Sequence, residues 1–203
     1  GSFHEIGLFR LFPLHLYITG PYTTAGKYGN AVFTPNTEQQ DDNIINLGMH
    51  RNDCFGNITL CPDGATFSLW FKANAVDHTY FPLFQSTSLH VYFTQVTNGL
   101  ELTFYLKNGT HLFNFMPSNF PLVTLDEWHH VGISYTLNDG YEVYYDGCGP
   151  ANVSKNVTAQ TSQIYNFQLG CVSGGNCMRV HYDDLRFWTA RKSPLFMWWL
   201  WKS

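Results

Sequence analysis

Leu89, Val91 and Phe93 alternate with His90, Tyr92 and Thr94, and Leu100, Leu102, Phe104 and Leu106 alternate in the same way after Asn98-Gly99. A second Asn-Gly pair, Asn108-Gly109, leads into His111, Phe113 and Phe115. Period-two alternation is the pattern of a strand with one buried side. Asn-Gly supplies the positive φ angles that a tight hairpin turn demands. Two such turns between alternating runs predict a three-stranded antiparallel meander, which Pro117-Ser-Asn-Phe-Pro121 ends.

The stretch Glu127–Gly147 repeats the logic. His129, Val131, Ile133 and Tyr135 share one face, with His130, Gly132, Ser134 and Thr136 on the other. Leu137-Asn138-Asp139-Gly140 turns the chain, and Tyr141, Val143 and Tyr145 line the return strand before Asp146-Gly147 turns it again. Phe67, Leu69 and Phe71 oppose Thr66, Ser68 and Trp70 in a further strand. Ile44–Gly48, Tyr165–Leu169 and Met178–Trp188 read as strands, the last with Leu185 and Phe187 inward. Leu11–Tyr17, broken by Pro13, is a candidate first strand; Thr37–Asn43 is polar and reads as a loop. Ala151–Gln163 reads as an exposed loop or edge strand. Ser193-Pro194 places an N-cap before Pro at N1 and opens a short Trp-rich C-terminal helix, expected to pack on the sandwich or to run on into a further domain. Many short strands with turn signals between them, and almost no helical periodicity, predict an all-β antiparallel sandwich.

A length of 203 residues fits one domain with a core that needs no disulfide to hold it. Gly1-Ser2 reads as a cloning remnant, and the chain as an excised ectodomain. The net charge of -4 comes with no Lys/Arg cluster, which argues against nucleic acid as a partner. No apolar run approaches the roughly 20 residues of a membrane span, so membrane association is expected only through a parent protein. Four N-x-S/T sequons, at Asn57, Asn108, Asn152 and Asn156, point to N-glycosylation and to the secretory pathway. Five cysteines agree with that oxidising compartment. Cys54 and Cys61 are close enough in sequence to bridge, stabilising by about 2–3 kcal/mol. Nine histidines include no H-x-H or H-x-x-x-H spacing, and the adjacent His129 and His130 face opposite sides of a strand, so no zinc site is read. No G-x-S-x-G elbow is present to anchor a catalytic triad.

Three segments carry a family resemblance: Cys61-Pro-Asp-Gly-Ala-Thr-Phe-Ser-Leu-Trp-Phe-Lys72, Trp128-His129-His130-Val131 with Val143-Tyr144-Tyr145-Asp146-Gly147, and His181-Tyr-Asp-Asp-Leu-Arg-Phe-Trp188. Gly26-Lys-Tyr-Gly-Asn-Ala-Val-Phe33 adds a fourth, earlier piece. In this order they resemble laminin-G-like and pentraxin-like domains, over most of the chain from about Leu11 onward. The resemblance implies a concanavalin A-like jelly roll. It also implies that Asp183 and Asp184 stand where relatives hold one structural Ca2+ with loop carbonyls; no other cofactor is expected. The Glu38–Asp42 cluster comes too early to match the pentraxin double-calcium site. Similar domains bridge cysteines placed like Cys148 and Cys171. Cys177 would then be free or join another chain, while Cys171–Cys177 stays open as the alternative. Glucanases of this fold draw on a Glu-x-Asp-x-Glu strand, which the fifteen acidic residues here do not supply, so no catalysis is expected.

The Cys54–Cys61 loop leading into the Trp70 strand is similar to modules in the ectodomains of adhesion G-protein-coupled receptors and polycystin-like surface proteins. The expectation is therefore an extracellular adhesion or recognition module that binds a protein ligand. Two alternatives stand beside it: a carbohydrate-binding lectin, with or without calcium, and a structural spacer. Trp70, Tyr92, Tyr105 and Tyr144 fall on the outward phase of their strands, where they would either stack on a ligand or be covered by loops. Cys177 and the Trp-rich end leave dimerisation open.

Overall fold

A computed structural model describes residues 22–34, 44–48, 54–55, 60–74, 80–86, 89–108, 111–115, 120–153, 167–170 and 178–203. Its strands are β1 (Tyr22–Ala25), β2 (Asn30–Thr34), β3 (Ile44–Asn46), β4 (Ala65–Ala73), β5 (Tyr80–Gln85), β6 (Leu89–Val96), β7 (Gly99–Asn108), β8 (His111–Phe115), β9 (His129–Thr136), β10 (Gly140–Tyr145), β11 (Cys148–Val153), β12 (Gln168–Gly170) and β13 (Val180–Trp188). One helix, α1, spans Pro194–Lys202.

The strands form two antiparallel sheets. One has the order β1-β2-β13-β4-β9-β10-β11, the other β3-β12-β5-β6-β7-β8. All three hairpins legible in the sequence are present: β6 pairs β7 through Val96↔Gly99, β7 pairs β8 through Asn108↔His111, and β9 pairs β10 through Thr136↔Gly140. The inner faces meet through the alternating residues. Phe67, Leu69 and Phe71 of β4, Val131, Ile133 and Tyr135 of β9, and Tyr141, Val143 and Tyr145 of β10 share one core with Val91 and Phe93 of β6 and Phe104 of β7. Rings cross the sandwich, with Phe71 edge-on to Phe93 at 5.3 Å and Phe67 tilted on Phe84 at 4.6 Å. Such pairs contribute about 0.5–1.5 kcal/mol beyond their buried area.

Strand β5 has no period-two signature in the sequence because its register slips between Pro82 and Phe84. The irregularity accommodates a residue without an N–H in an interior strand. Cys54 and Cys61 are joined by a disulfide with Cα atoms 4.9 Å apart. Cys148, which opens the edge strand β11, carries a free and exposed thiol. Cys171, Cys177, Asn57, Asn156 and the Leu11–Tyr17 segment lie outside the described residues. Asn108 ends β7 opposite His111, and Asn152 sits in β11 opposite Glu142.

Candidate recognition face

The Asp183-Asp184 pair forms a β-bulge. Against β4 the register of β13 slips between Asp183, opposite Trp70, and Arg186, opposite Ser68. Asp184 takes a positive φ of 47°, and Asp183 Oδ1 accepts its N–H at 2.7 Å. Asp183 Oδ2 accepts the N–H of Tyr28 at 2.8 Å, pinning the β1–β2 turn over the sheet. Gly26 permits that approach, since a Cβ there would lie 2.5 Å from Asp183 Oδ2. Asp184 in turn accepts from Arg186 Nε at 2.8 Å. Both carboxylates are thus engaged by backbone amides and a guanidinium. No further His, Cys, Asp or Glu among the described residues joins them in a metal-sized cluster. A calcium ion needs six to eight oxygens, so beside these two engaged carboxylates backbone carbonyls would have to supply most of a shell.

The turn so pinned closes part of the outer face of the seven-stranded sheet. Lys27 Nζ stands 4.2 Å above the Trp70 ring, Tyr28 meets the same ring edge-on at 6.1 Å, and His130 lies 5.2 Å away. Trp70 is 3% exposed. Helix α1 covers the part around Gly132, Tyr144 and Trp188, held at its start by Ser193, whose Oγ accepts from Phe196 N–H at 3.2 Å. Met197 and Leu200 bury against Tyr144 and Trp188. The approach is close because Gly132 has no side chain: a Cβ there would collide with the Met197 methyl. Beside the helix, Glu142 is buried, and Arg191 donates to it through Nη2 at 2.5 Å and Nε at 3.2 Å. The Tyr144 hydroxyl donates to Glu142 Oε2 at 3.0 Å. Burial, with the Glu142 hydrogen bond and charge, pushes the Tyr144 pKa up, so it keeps its proton. Trp70 and Tyr144 are therefore outward in phase but covered.

At one end of the sandwich His129, Asp146 and Tyr145 converge. His129 Nδ1 lies 2.6 Å from Asp146 Oδ2 and 2.8 Å from the Tyr145 hydroxyl, while Nε2 lies 2.9 Å from the Thr124 carbonyl oxygen. Asp146, at φ 46°, also accepts the N–H of His130 at 2.7 Å. Burial alone would lower the His129 pKa, but the hydrogen bond and charge of Asp146 outweigh it and leave it raised. Burial raises the Tyr145 pKa, with Asp146 adding to it. A neutral phenol and a histidine tied on both nitrogens make a structural clamp between β9 and the turn after β10. In the sequence His129 shares the face of Val131, Ile133 and Tyr135 and Asp146-Gly147 marks a turn, but nothing there pairs the two side chains.

The outer face of the six-stranded sheet differs. Val91 and Phe93 are fully buried, and between them Tyr92 is half-exposed, its ring stacked with His90 at 6.0 Å and its hydroxyl 3.1 Å from His90 Nδ1. Across the β6–β7 pair, Thr94 and Thr103 hydroxyls meet at 2.8 Å, opposite and beside half-exposed Glu101. Gln168 of β12, also half-exposed, pairs with Gln85 of β5. The result is an aromatic platform surrounded by hydroxyl, amide and carboxylate groups. The side chain of Tyr105 lies outside the described residues.

Among the described residues no helix is long and apolar enough to cross a membrane. Known structures share the fold. Domain 4 of an extracellular arabinanase from Geobacillus stearothermophilus, in complex with arabinotriose, has a TM-score of 0.63 at 18% identity, over 90% of this chain and 81% of that one. The receptor binding domain of botulinum neurotoxin C/D mosaic serotype has a TM-score of 0.58 at 12% identity, over 92% of this chain and 43% of that one. Trypanosoma rangeli sialidase has a TM-score of 0.51 at 15% identity, over 70% of this chain. The chain spans 23% of the sialidase and less than half of the toxin domain. The likenesses thus run to binding domains and to parts of enzymes. No curated protein matches the sequence. The family model of the concanavalin A-like lectin/glucanase superfamily, laminin G type, matches residues 47–194. With both sheets in place and most of its length matched, the chain belongs to the concanavalin A-like lectin/glucanase superfamily.

Proposed function

We propose that this chain is an extracellular, glycosylated, non-catalytic recognition module of a larger protein, and that its ligand is a glycan seated on the outer face of the six-stranded sheet. The observation that carries the reading is the asymmetry between the two outer faces. One is closed over Trp70, Tyr144 and Trp188 by the Lys27-Tyr28 turn and α1; the other keeps Tyr92, Thr94, Glu101 and Gln168 half-exposed around buried His90 and Thr103. An aromatic ring packs against the C–H face of a sugar while neighbouring hydroxyls and amides match its polar groups. The disulfide supports an oxidising compartment.

Glycoside hydrolysis generally uses two carboxyl groups about 5–9.5 Å apart. Glu142, Asp146 and Asp183 are engaged by Arg191, His129 and backbone amides, respectively, and Glu101 is the acid that the described residues place on the open face. Binding is likewise proposed to need no calcium, because the Asp183-Asp184 bulge is held together by its own hydrogen bonds.

A protein ligand is the second reading. Leu122 and Leu125 stand exposed beside the start of β7, where Val123 bridges Leu100, and offer an apolar rim next to Glu101. A glycan array probed with the secreted domain, in calcium and again in EDTA, separates these readings. Selective binding in both buffers is expected. Binding that EDTA abolishes overturns calcium independence. Silence of a well-folded sample in both buffers overturns the glycan reading and leaves the protein one.

A further inference from the structure

Helix α1 is apolar on both sides. Met197 and Leu200 face the sheet, while Leu195, Trp198 and Trp199 stand 74%, 46% and 55% exposed on the outward side. Outward tryptophans at the i+3 and i+4 positions of such a stripe are unusual on a surface facing water and call for a cover. Trp198 is followed three residues later by Trp201, giving Trp198-Trp199-Leu200-Trp201. W-x-x-W is the acceptor pattern for C-mannosylation in the secretory pathway, in which the first tryptophan receives the sugar.

We propose that Trp198 is a C-mannosylation site; this rests on the extracellular reading above. The reaction joins the anomeric carbon of a mannose to indole C2. The donor is a polyprenyl-phosphate mannose: its anomeric C–O bond breaks, the polyprenyl phosphate leaves with the electron pair, and the C2 proton is lost to restore the aromatic ring. The folded chain has room for the product at Trp198 and not at Trp201. Trp198 is about half open to solvent, whereas Trp201 packs so closely on the turn at Gly147 that a Cβ there would lie 2.5 Å from its ring. Lys202 Nζ serves both rings, at 5.7 Å from Trp198 and 4.2 Å from Trp201, so the two tryptophans of the pattern flank one cation. A hexose on Trp198 places hydroxyl groups over the outward stripe and converts its most aromatic part into a hydrated surface.

The test is peptide mass spectrometry of the domain secreted from mammalian cells. Trypsin cuts after Lys192 and Lys202 and releases Ser193–Lys202 with the whole pattern inside. The expected result is one added hexose on Trp198 that survives peptide-N-glycosidase treatment and fragments across the ring, as a C-linked sugar does. N-glycans on the same sample report passage through the secretory pathway. A domain that carries N-glycans but has an unmodified Trp198, or a hexose on Trp199 or Trp201 instead, overturns the proposal alone. A secreted domain with neither N-glycan nor hexose overturns the glycosylated reading with it. Trp201→Phe keeps a ring against Gly147 while breaking the pattern; it should lose the hexose and keep the N-glycans, and retention of the hexose in this variant also overturns the proposal.

Discussion

Arg191→Ala strips the guanidinium from Glu142 and leaves a carboxylate under the edge of α1 with one donor, the Tyr144 hydroxyl. Breaking a buried ion pair from one side costs about 3–5 kcal/mol, because the remaining charge is uncompensated. Here the Glu142 side chain is 9% exposed but the Arg191 side chain is 35% exposed, so water relieves part of the penalty. The Arg191 contact to Asp139 is 3.3 Å long and exposed at the acid, and adds little. The net expectation is a loss of about 2–3 kcal/mol. For a domain of this size that corresponds to roughly 4–12 °C in melting temperature. The assay is urea unfolding followed by tryptophan fluorescence, with the slope checked for constancy. The double variant Arg191→Ala/Glu142→Gln removes the stranded charge and keeps an acceptor for Tyr144, so it should regain about 1–2 kcal/mol over the single variant. An Arg191→Ala domain within about 0.5 kcal/mol of the parent would refute the reasoning. So would a double variant no more stable than the single one, because Glu142 would then not be a buried charge held by its partner.

Three further outcomes follow from the same packing. His130 is held near pKa 4 by burial, with Arg186 and Lys27 adding to the effect and Asp146 opposing it. A depressed base favours folding above its free value of about 6.5 and loses that contribution as pH falls toward 4, on the order of 3 kcal/mol in all. His181, also lowered to about 4 by burial, acts in the same direction, whereas raised His129 contributes below 6.5 and loses that contribution as pH rises. Urea midpoints between about pH 7 and pH 4.5 should therefore fall, and His130→Asn should flatten the slope; a variant with the parent's slope contradicts the assignment. Met197→Ala opens a void over Gly132 and should cost about 2–3 kcal/mol, with faster proteolysis within α1; an unchanged stability would mean that the helix is not clamped there. EDTA should leave the melting temperature unchanged in differential scanning fluorimetry, and a drop restored by calcium would place an ion at the Asp183 bulge.

The fold was legible wherever buried and exposed residues alternate and a turn has its own chemistry. Asn98-Gly99 and Leu137–Gly140 marked their hairpins, and Ser193-Pro194 marked the helix start. Strand β5 was not legible, because the slip at Pro82 destroys the alternation by which a strand is recognised. Outward phase is also a property of one strand, whereas exposure depends on what crosses it. Trp70 and Tyr144 are outward yet covered by a turn and a helix more than 40 residues away in sequence, so alternation alone could not separate them from Tyr92. The family resemblance pointed to a calcium ion at Asp183-Asp184, and the carboxylate oxygens that accept backbone N–H groups at this bulge are of the same kind that an ion needs. Composition does not distinguish the two uses; only the direction of each oxygen does.

The central claim is that recognition belongs to the open sheet face and architecture to the covered one. A glycan array probed side by side with the parent domain, Tyr92→Ala and Tyr144→Phe tests it directly. Losing the stacked ring costs about 0.5–1.5 kcal/mol beyond its contact area, a fall of roughly two- to twelvefold before the lost area is added. The account predicts that Tyr92→Ala loses the parent's signals and that Tyr144→Phe keeps them. Unchanged binding by Tyr92→Ala, or its loss in Tyr144→Phe with the fold intact, contradicts the account.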